Sequence, residues 1–145
     1  MTSNEARAAV LERALRAGLA GDRETLRTVL TEDVRAWTPR LSTSSLTELL
    51  EELERRDDSF SDLQLTVAPL DVGGDHACVE WTVEMTHTGR LHLADGTEVE
   101  ASGTRVIVHG ATVGEFLDDR ICALRQYWDE LTVLDQLPLQ SRTED

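Results

Sequence analysis

The hydrophobic period of this chain changes once, from about 3.6 residues to 2, near residue 57. That restricts it to a helical first part followed by a sheet. Upstream, Val10, Leu11, Ala14, Leu15 and Leu19 form one amphipathic stripe over residues 4–20, ended by Gly18 and Gly21. Asp22 is placed to cap a second short helix through Leu30, with Leu26, Val29 and Leu30 on one face. Residues 31–39 read as a short extended piece closed by Pro39. Ser45 and Glu48 have the spacing of a capping box, and Leu46, Leu49, Leu50 and Leu53 carry that third helix to about Arg56.

Downstream, Leu63, Leu65 and Val67 alternate with polar neighbours, lead to Pro69, and Gly73-Gly74 turns the chain. The clearest strand places Val79, Trp81, Val83, Met85 and His87 on one face and Glu80, Thr82, Glu84 and Thr86 on the other. Asp95-Gly96 signals a hairpin between residues 90–94 and 97–101. Strands follow over 104–113 and, after Asp118-Asp119, over 121–129. The expected fold class is α+β: one domain over residues 1–145, its helices lying across one face of a strongly curved antiparallel sheet.

Composition excludes several roles. With 145 residues, 40% of them hydrophobic and 29% charged, the chain is long enough and apolar enough for a globular core. The 28 acidic residues outnumber the 14 basic ones, for a formal charge of −14, which repels nucleic acid and anionic membrane surfaces. No segment reaches the roughly 18 consecutive apolar residues of a membrane span. The N-terminal residues lack a signal-peptide pattern, so a cytoplasmic location is expected. Cys78 and Cys122, both in strand-like apolar runs, read as buried free thiols. There is no CxxC, HExxH or paired-histidine spacing to suggest a metal, and no Gly-rich phosphate loop or GxSxG elbow.

The candidate site residues come from strand parity. His87 is expected to look inward at the end of an apolar wall, either as a core histidine bonded to a carbonyl or as a general acid or base. Arg125, Tyr127 and Asp129 recur at spacing two on the last strand and share a face. They are open to three readings: catalysis, an Arg–Asp bridge at the sheet rim, or Asp129 capping the following turn. Three of the six aromatic residues are tryptophans. Trp81 shares the face of His87 and suits a planar-ligand wall, whereas Trp128 has the opposite parity to Asp129 and is assigned the outer face, where an apolar patch would support dimerisation. Trp37, Trp81, Met85 and His109 are the expected substrate contacts.

Three stretches carry a resemblance. The first is Gly21-Asp22 with Leu26, Leu30, Asp33-Val34 and Trp37-Thr38-Pro39, and the second is His87-Thr88-Gly89. The third runs from Gly103-Thr104-Arg105 through Asp119-Arg120-Ile121 to Tyr127-Trp128-Asp129-Glu130-Leu131 and Gln136-Leu137. Together, over roughly residues 5–139, the chain resembles the SnoaL-like polyketide cyclases of the nuclear-transport-factor-2-like superfamily. The resemblance implies an α+β cone with an internal pocket, often dimerising through its sheet, and an intramolecular aldol ring closure on a small hydrophobic carbonyl compound without metal or cofactor. It places the acid/base aspartate at Asp129, with His87, Tyr127 or Arg125 stabilising the developing oxyanions. Two departures stand out: residues 90–102 form a longer segment than the family pattern, expected at the pocket mouth, and the usual Gln-Leu-Gly ending is Gln136-Leu137-Pro138. An epoxide hydrolase or isomerase in the same cone, or a non-catalytic ligand-binding dimer, are the alternatives.

Overall fold

The protein is described from a computed structural model covering residues 3–56, 58–93 and 95–138. Ala94 of the expected hairpin and Leu139 at the end of the resemblance lie outside the described residues. Helix α1 (Ser3–Ala20) buries Ala8, Leu11, Ala14, Leu15 and Ala17 on one stripe. Arg56 donates to the Gly18 and Leu19 carbonyls at its C-terminal end, satisfying acceptors the helix cannot. Asp22 caps α2 (Arg23–Val29) by accepting the Thr25 N–H. Ser45 caps α3 (Leu46–Glu54) through the Glu48 N–H, while Glu48 reaches back to the Ser44 N–H, one residue earlier than in a standard capping box.

The six-stranded sheet runs β2 (Leu41–Thr43), β1 (Leu30–Thr38), β8 (Arg120–Trp128), β7 (Arg105–Leu117), β4 (His76–His87), β3 (Phe60–Leu70). It is mixed, not wholly antiparallel as the sequence suggested. The extended piece after α2 is β1, and it lies parallel to β8, with Ala36 opposite Leu124. This pairing joins the first long strand to the last one in the chain, β1 lying between β2 and β8, and local pattern cannot reveal it. Breaks in register between Leu30 and Arg35, Ser61 and Gln64, and Glu115 and Phe116 interrupt the pairing as bulges do, and bulges bend strands and increase their twist. The sheet curves around the helices without closing. Its concave face and the three N-terminal helices share one core, with Leu11, Leu30, Val34, Val79, Val106 and Ile121 fully enclosed. Each such side chain contributes roughly 1.5–3 kcal/mol by leaving water.

The short hairpin β5 (Leu91–His92) and β6 (Glu98–Val99) stands apart from the main sheet. It is anchored by fully buried Leu91 and by Arg90 pairing with Glu98 and Glu100. A last helix, α4 (Glu130–Gln136), follows β8 directly. Before Gly110, β7 has no β8 residue opposite it, and the side-chain amide of Gln136 takes the place of a strand there. Gln136 accepts the Ile107 N–H at 2.9 Å and donates to the Ile107 carbonyl at 2.8 Å. A primary amide mimics a peptide in this role, which gives the Gln of the C-terminal signature a physical purpose. Among the described residues no helix is long and apolar enough to cross a membrane.

Candidate functional site

The concave face and the helices enclose an open-ended cavity of about 450 Å³. Its sheet wall is laid down by parity: Trp81, Val83 and Met85 from β4, Val108 from β7, and Leu124, Gln126 and Trp128 from β8. The floor comes from α1 and α3, through residues such as Leu15, Leu49 and Leu53. Polar groups are few: Thr38, Gln126 and the Arg40–Glu130 ion pair, with Glu52, Arg55 and Arg56 from the region of α3. An apolar chamber with a small set of oriented polar groups suits a small hydrophobic ligand.

Gly110 shapes the wall. It pairs with Trp81 on one side and Trp128 on the other. A Cβ there would stand 2.3 Å from the Trp81 indole and 2.6 Å from the Tyr127 carbonyl oxygen. Without one, the two indoles meet edge to face with centroids 6.2 Å apart. The Trp81 Nε1–H donates to buried Thr112 Oγ1 at 2.9 Å, so the ring is fixed and its polar edge satisfied.

His87 continues the Trp81–Met85 face of β4, but it is 0% exposed and is not itself among the residues that line the cavity. Its ring lies 5.4 Å from that of Phe60, which itself lines the cavity. Nδ1 is 2.9 Å from Ser102 Oγ, and Nε2 is buried with no hydrogen-bond partner among the described residues. The backbone around it is tightly held: Thr88 and Gly89 N–H both donate to the Ser59 carbonyl, and Ser59 Oγ donates to the Arg90 carbonyl. A Cβ on Gly89 would lie 2.2 Å from the Asp58 carbonyl oxygen, which accounts for the glycine of His87-Thr88-Gly89. The hairpin of residues 90–102 is bound to this His87 end of the sheet, and among the described residues none of it lines the cavity.

The other expected site residues stand elsewhere. Arg125 and Tyr127 share a face as the spacing required, but it is the convex one. Arg125 pairs there with Glu115, whose carboxyl that bond holds below its ordinary value, and Tyr127 stacks on Trp37 at 5.3 Å. Asp129 caps α4, its Oδ1 accepting the Leu131 N–H at 2.9 Å, and it is exposed. His109 is on the convex face too, bonded through Nδ1 to Thr82 Oγ1. Trp128, expected outside, lines the cavity. The reason is the irregularity at Glu115/Phe116. Counting by twos from buried Ile121 puts Arg125 and Tyr127 inside, but the register shift moves the inward set to Leu124, Gln126 and Trp128. Cys78 and Cys122 are free and half-buried, and burial, helped by Glu80, pushes the Cys78 thiol up.

The architecture, a curved open sheet wrapped on N-terminal helices, is the nuclear-transport-factor-2-like fold. Within it, the chain belongs to the SnoaL-like polyketide cyclase family, whose profile matches residues 9–137. Among solved structures it is similar to a candidate SnoaL-like polyketide cyclase from Jannaschia sp. CCS1 (17% identity, 97% of each chain covered, TM-score 0.79). TsrD from Streptomyces laurentii matches at 22% identity over 97% of this chain and 100% of that one (TM-score 0.75). An LEH-like epoxide hydrolase from M. tuberculosis matches at 17% identity over 94% and 92% (TM-score 0.68). At these identities the likeness is one of fold. No curated protein sequence is significantly similar to the chain.

Proposed function

We propose that the cavity binds a small, mostly apolar carbonyl compound and that the chain performs cofactor-independent acid/base chemistry on it, of the aldol ring-closing type. The observation that carries this reading is the apolar chamber with a buried imidazole, His87, packed beside its Phe60 wall, whose Nε2 has no partner among the described residues. A base of this kind removes a proton next to a carbonyl, and donors such as Gln126 or Arg40 stabilise the resulting enolate oxygen. Asp129, the position the resemblance favours as base, is occupied with the α4 cap and is given a structural part. The experiment is a thermal-shift and turnover screen against polycyclic ketones and linear polyketide mimics. A ligand at a hundred times its dissociation constant adds about 2.7 kcal/mol of stability. Shifts with conversion support the reading; shifts without conversion leave a binding module in its place.

A second reading, epoxide hydrolysis, is favoured by the Arg40–Glu130 pair on the cavity wall, since that chemistry uses carboxylates oriented by an arginine around a water. Diol formation from a cyclic epoxide would establish it. The proposed partner is a second copy of the chain, docked through the convex face. There Trp37, Ile107 and Tyr127 are 42%, 41% and 46% exposed, and Trp37→Glu is expected to turn a dimer into a monomer in analytical ultracentrifugation.

A further inference from the structure

We infer that Ser102 is a positioning residue that locks His87 as the Nδ1–H tautomer, leaving the lone pair on Nε2, in the buried ring beside Phe60. The inference rests on the proposal that His87 is the base, and it gives the long segment 90–102 a task. The argument is a proton count. A serine hydroxyl has one proton to give and lone pairs to receive. Ser102 Oγ donates to Thr104 Oγ1 at 2.9 Å and receives the Thr104 N–H at 3.3 Å. Its proton is therefore used, and its 2.9 Å contact with His87 Nδ1 requires the ring nitrogen to donate. A neutral imidazole with hydrogen on Nδ1 carries its lone pair on Nε2, the atom that is buried and unpartnered among the described residues. The backbone fixes the same geometry twice more: the His87 N–H donates to the Thr104 carbonyl and the Gly103 N–H to the His87 carbonyl, at 2.9 and 2.8 Å. The loop that returns from β6 to β7 thus holds the ring from its Nδ1 side.

The opposite tautomer would leave two like groups facing each other, a bare Nδ1 and an oxygen whose proton is committed to Thr104. It would also bury an N–H donor beside Phe60 without an acceptor. Both costs point the same way, so the selection is strong in the absence of any ligand.

The test reads the tautomer directly, by long-range 1H–15N correlation of the imidazole. It uses the full chain carrying His76→Gln, His92→Gln and His109→Gln, so that His87 is the one remaining histidine of four. The expected pattern is a protonated Nδ1 and a pyridine-type Nε2. Ser102→Ala is expected to lose that pattern, and Ser102→Thr, which restores a hydroxyl, to recover it. Thr104→Val frees the serine proton to point at Nδ1 and is expected to shift the ring toward Nε2–H while leaving the backbone bonds intact. The inference is overturned by Nε2–H as the main form in the parent, or by an unchanged pattern in both Ser102→Ala and Thr104→Val. These readings need no substrate, so they stand apart from the proposed reaction. If that reaction holds as well, Ser102→Ala lowers kcat with little change in KM, by a factor up to the roughly 10²–10⁴ that acid–base catalysis supplies.

Discussion

Replacing Asp129 separates a helix cap from a catalytic base, because two substitutions split its properties. Asn keeps an oxygen for the Leu131 N–H and caps helices about as well as Asp, but it cannot take up a proton as a carboxylate base does. Ala removes both. From the cap, Asp129→Ala is expected to cost about 1 kcal/mol, within the roughly 0.5–2 kcal/mol range for such losses. In a domain of this size that lowers Tm by about 2–4 °C. The loss spreads, because α4 also carries buried Val133 and the Gln136 amide that completes β7 at Ile107. Asp129→Asn loses only the favourable charge at the helix start, roughly 0.3–1 kcal/mol, and is expected to keep its turnover. Differential scanning calorimetry and turnover on a ketone hit from the ligand screen, run on all three proteins, measure both effects. An Asn variant that melts with wild type but has lost turnover would refute the reasoning and return Asp129 to the chemistry.

Gly110→Ala forces a Cβ onto the Trp81 indole and the Tyr127 carbonyl, and the second of these belongs to the neighbouring strand and cannot swing aside. A loss of about 1–3 kcal/mol in urea unfolding, with altered tryptophan fluorescence, is expected, and unchanged values of both would contradict the described wall. Glu115→Gln removes the partner of Arg125, a part-exposed bridge worth up to about 1 kcal/mol. The folded-state value of Glu115 is depressed by that bond, so its contribution is complete above the ordinary glutamate range. The gap between wild type and variant should therefore shrink as pH falls through the depressed value and vanish below it, and a gap that widens toward acid would be the wrong sign.

The helices were legible because their signals are local. Leucines at helical spacing and the caps at Asp22 and Ser45 are each decided within a few residues, and both caps form as expected. The Trp81–His87 face was legible for the same reason, since β4 runs without a bulge and its alternation survives from Ala77 to His87. What escaped was set by distant partners. The parity of β8 turns on one extra residue, Cys122, between Ile121 opposite Phe116 and Ala123 opposite Glu115, which only the pairing with β7 reveals, so Arg125 and Tyr127 go out while Trp128 comes in. The parallel seat of β1 depends on β8, about ninety residues on in the chain. Helix α4 is 7 residues long, too short for its period to stand out from the aromatic end of β8. Gln126 and the Arg40–Glu130 pair were missed because each gains meaning only from the cavity it faces.

The central claim is that His87 is a base acting on a carbonyl compound bound in the concave cavity. Deuterium incorporation next to the carbonyl, followed by mass spectrometry in D2O with polycyclic ketones and linear polyketide mimics, tests it most directly. The account predicts exchange above the buffer rate with wild type, a fall of about 10²–10⁴-fold in His87→Gln, and little change in Asp129→Asn. Exchange no faster than buffer with wild type, or exchange that survives in His87→Gln and disappears in Asp129→Asn, would contradict it.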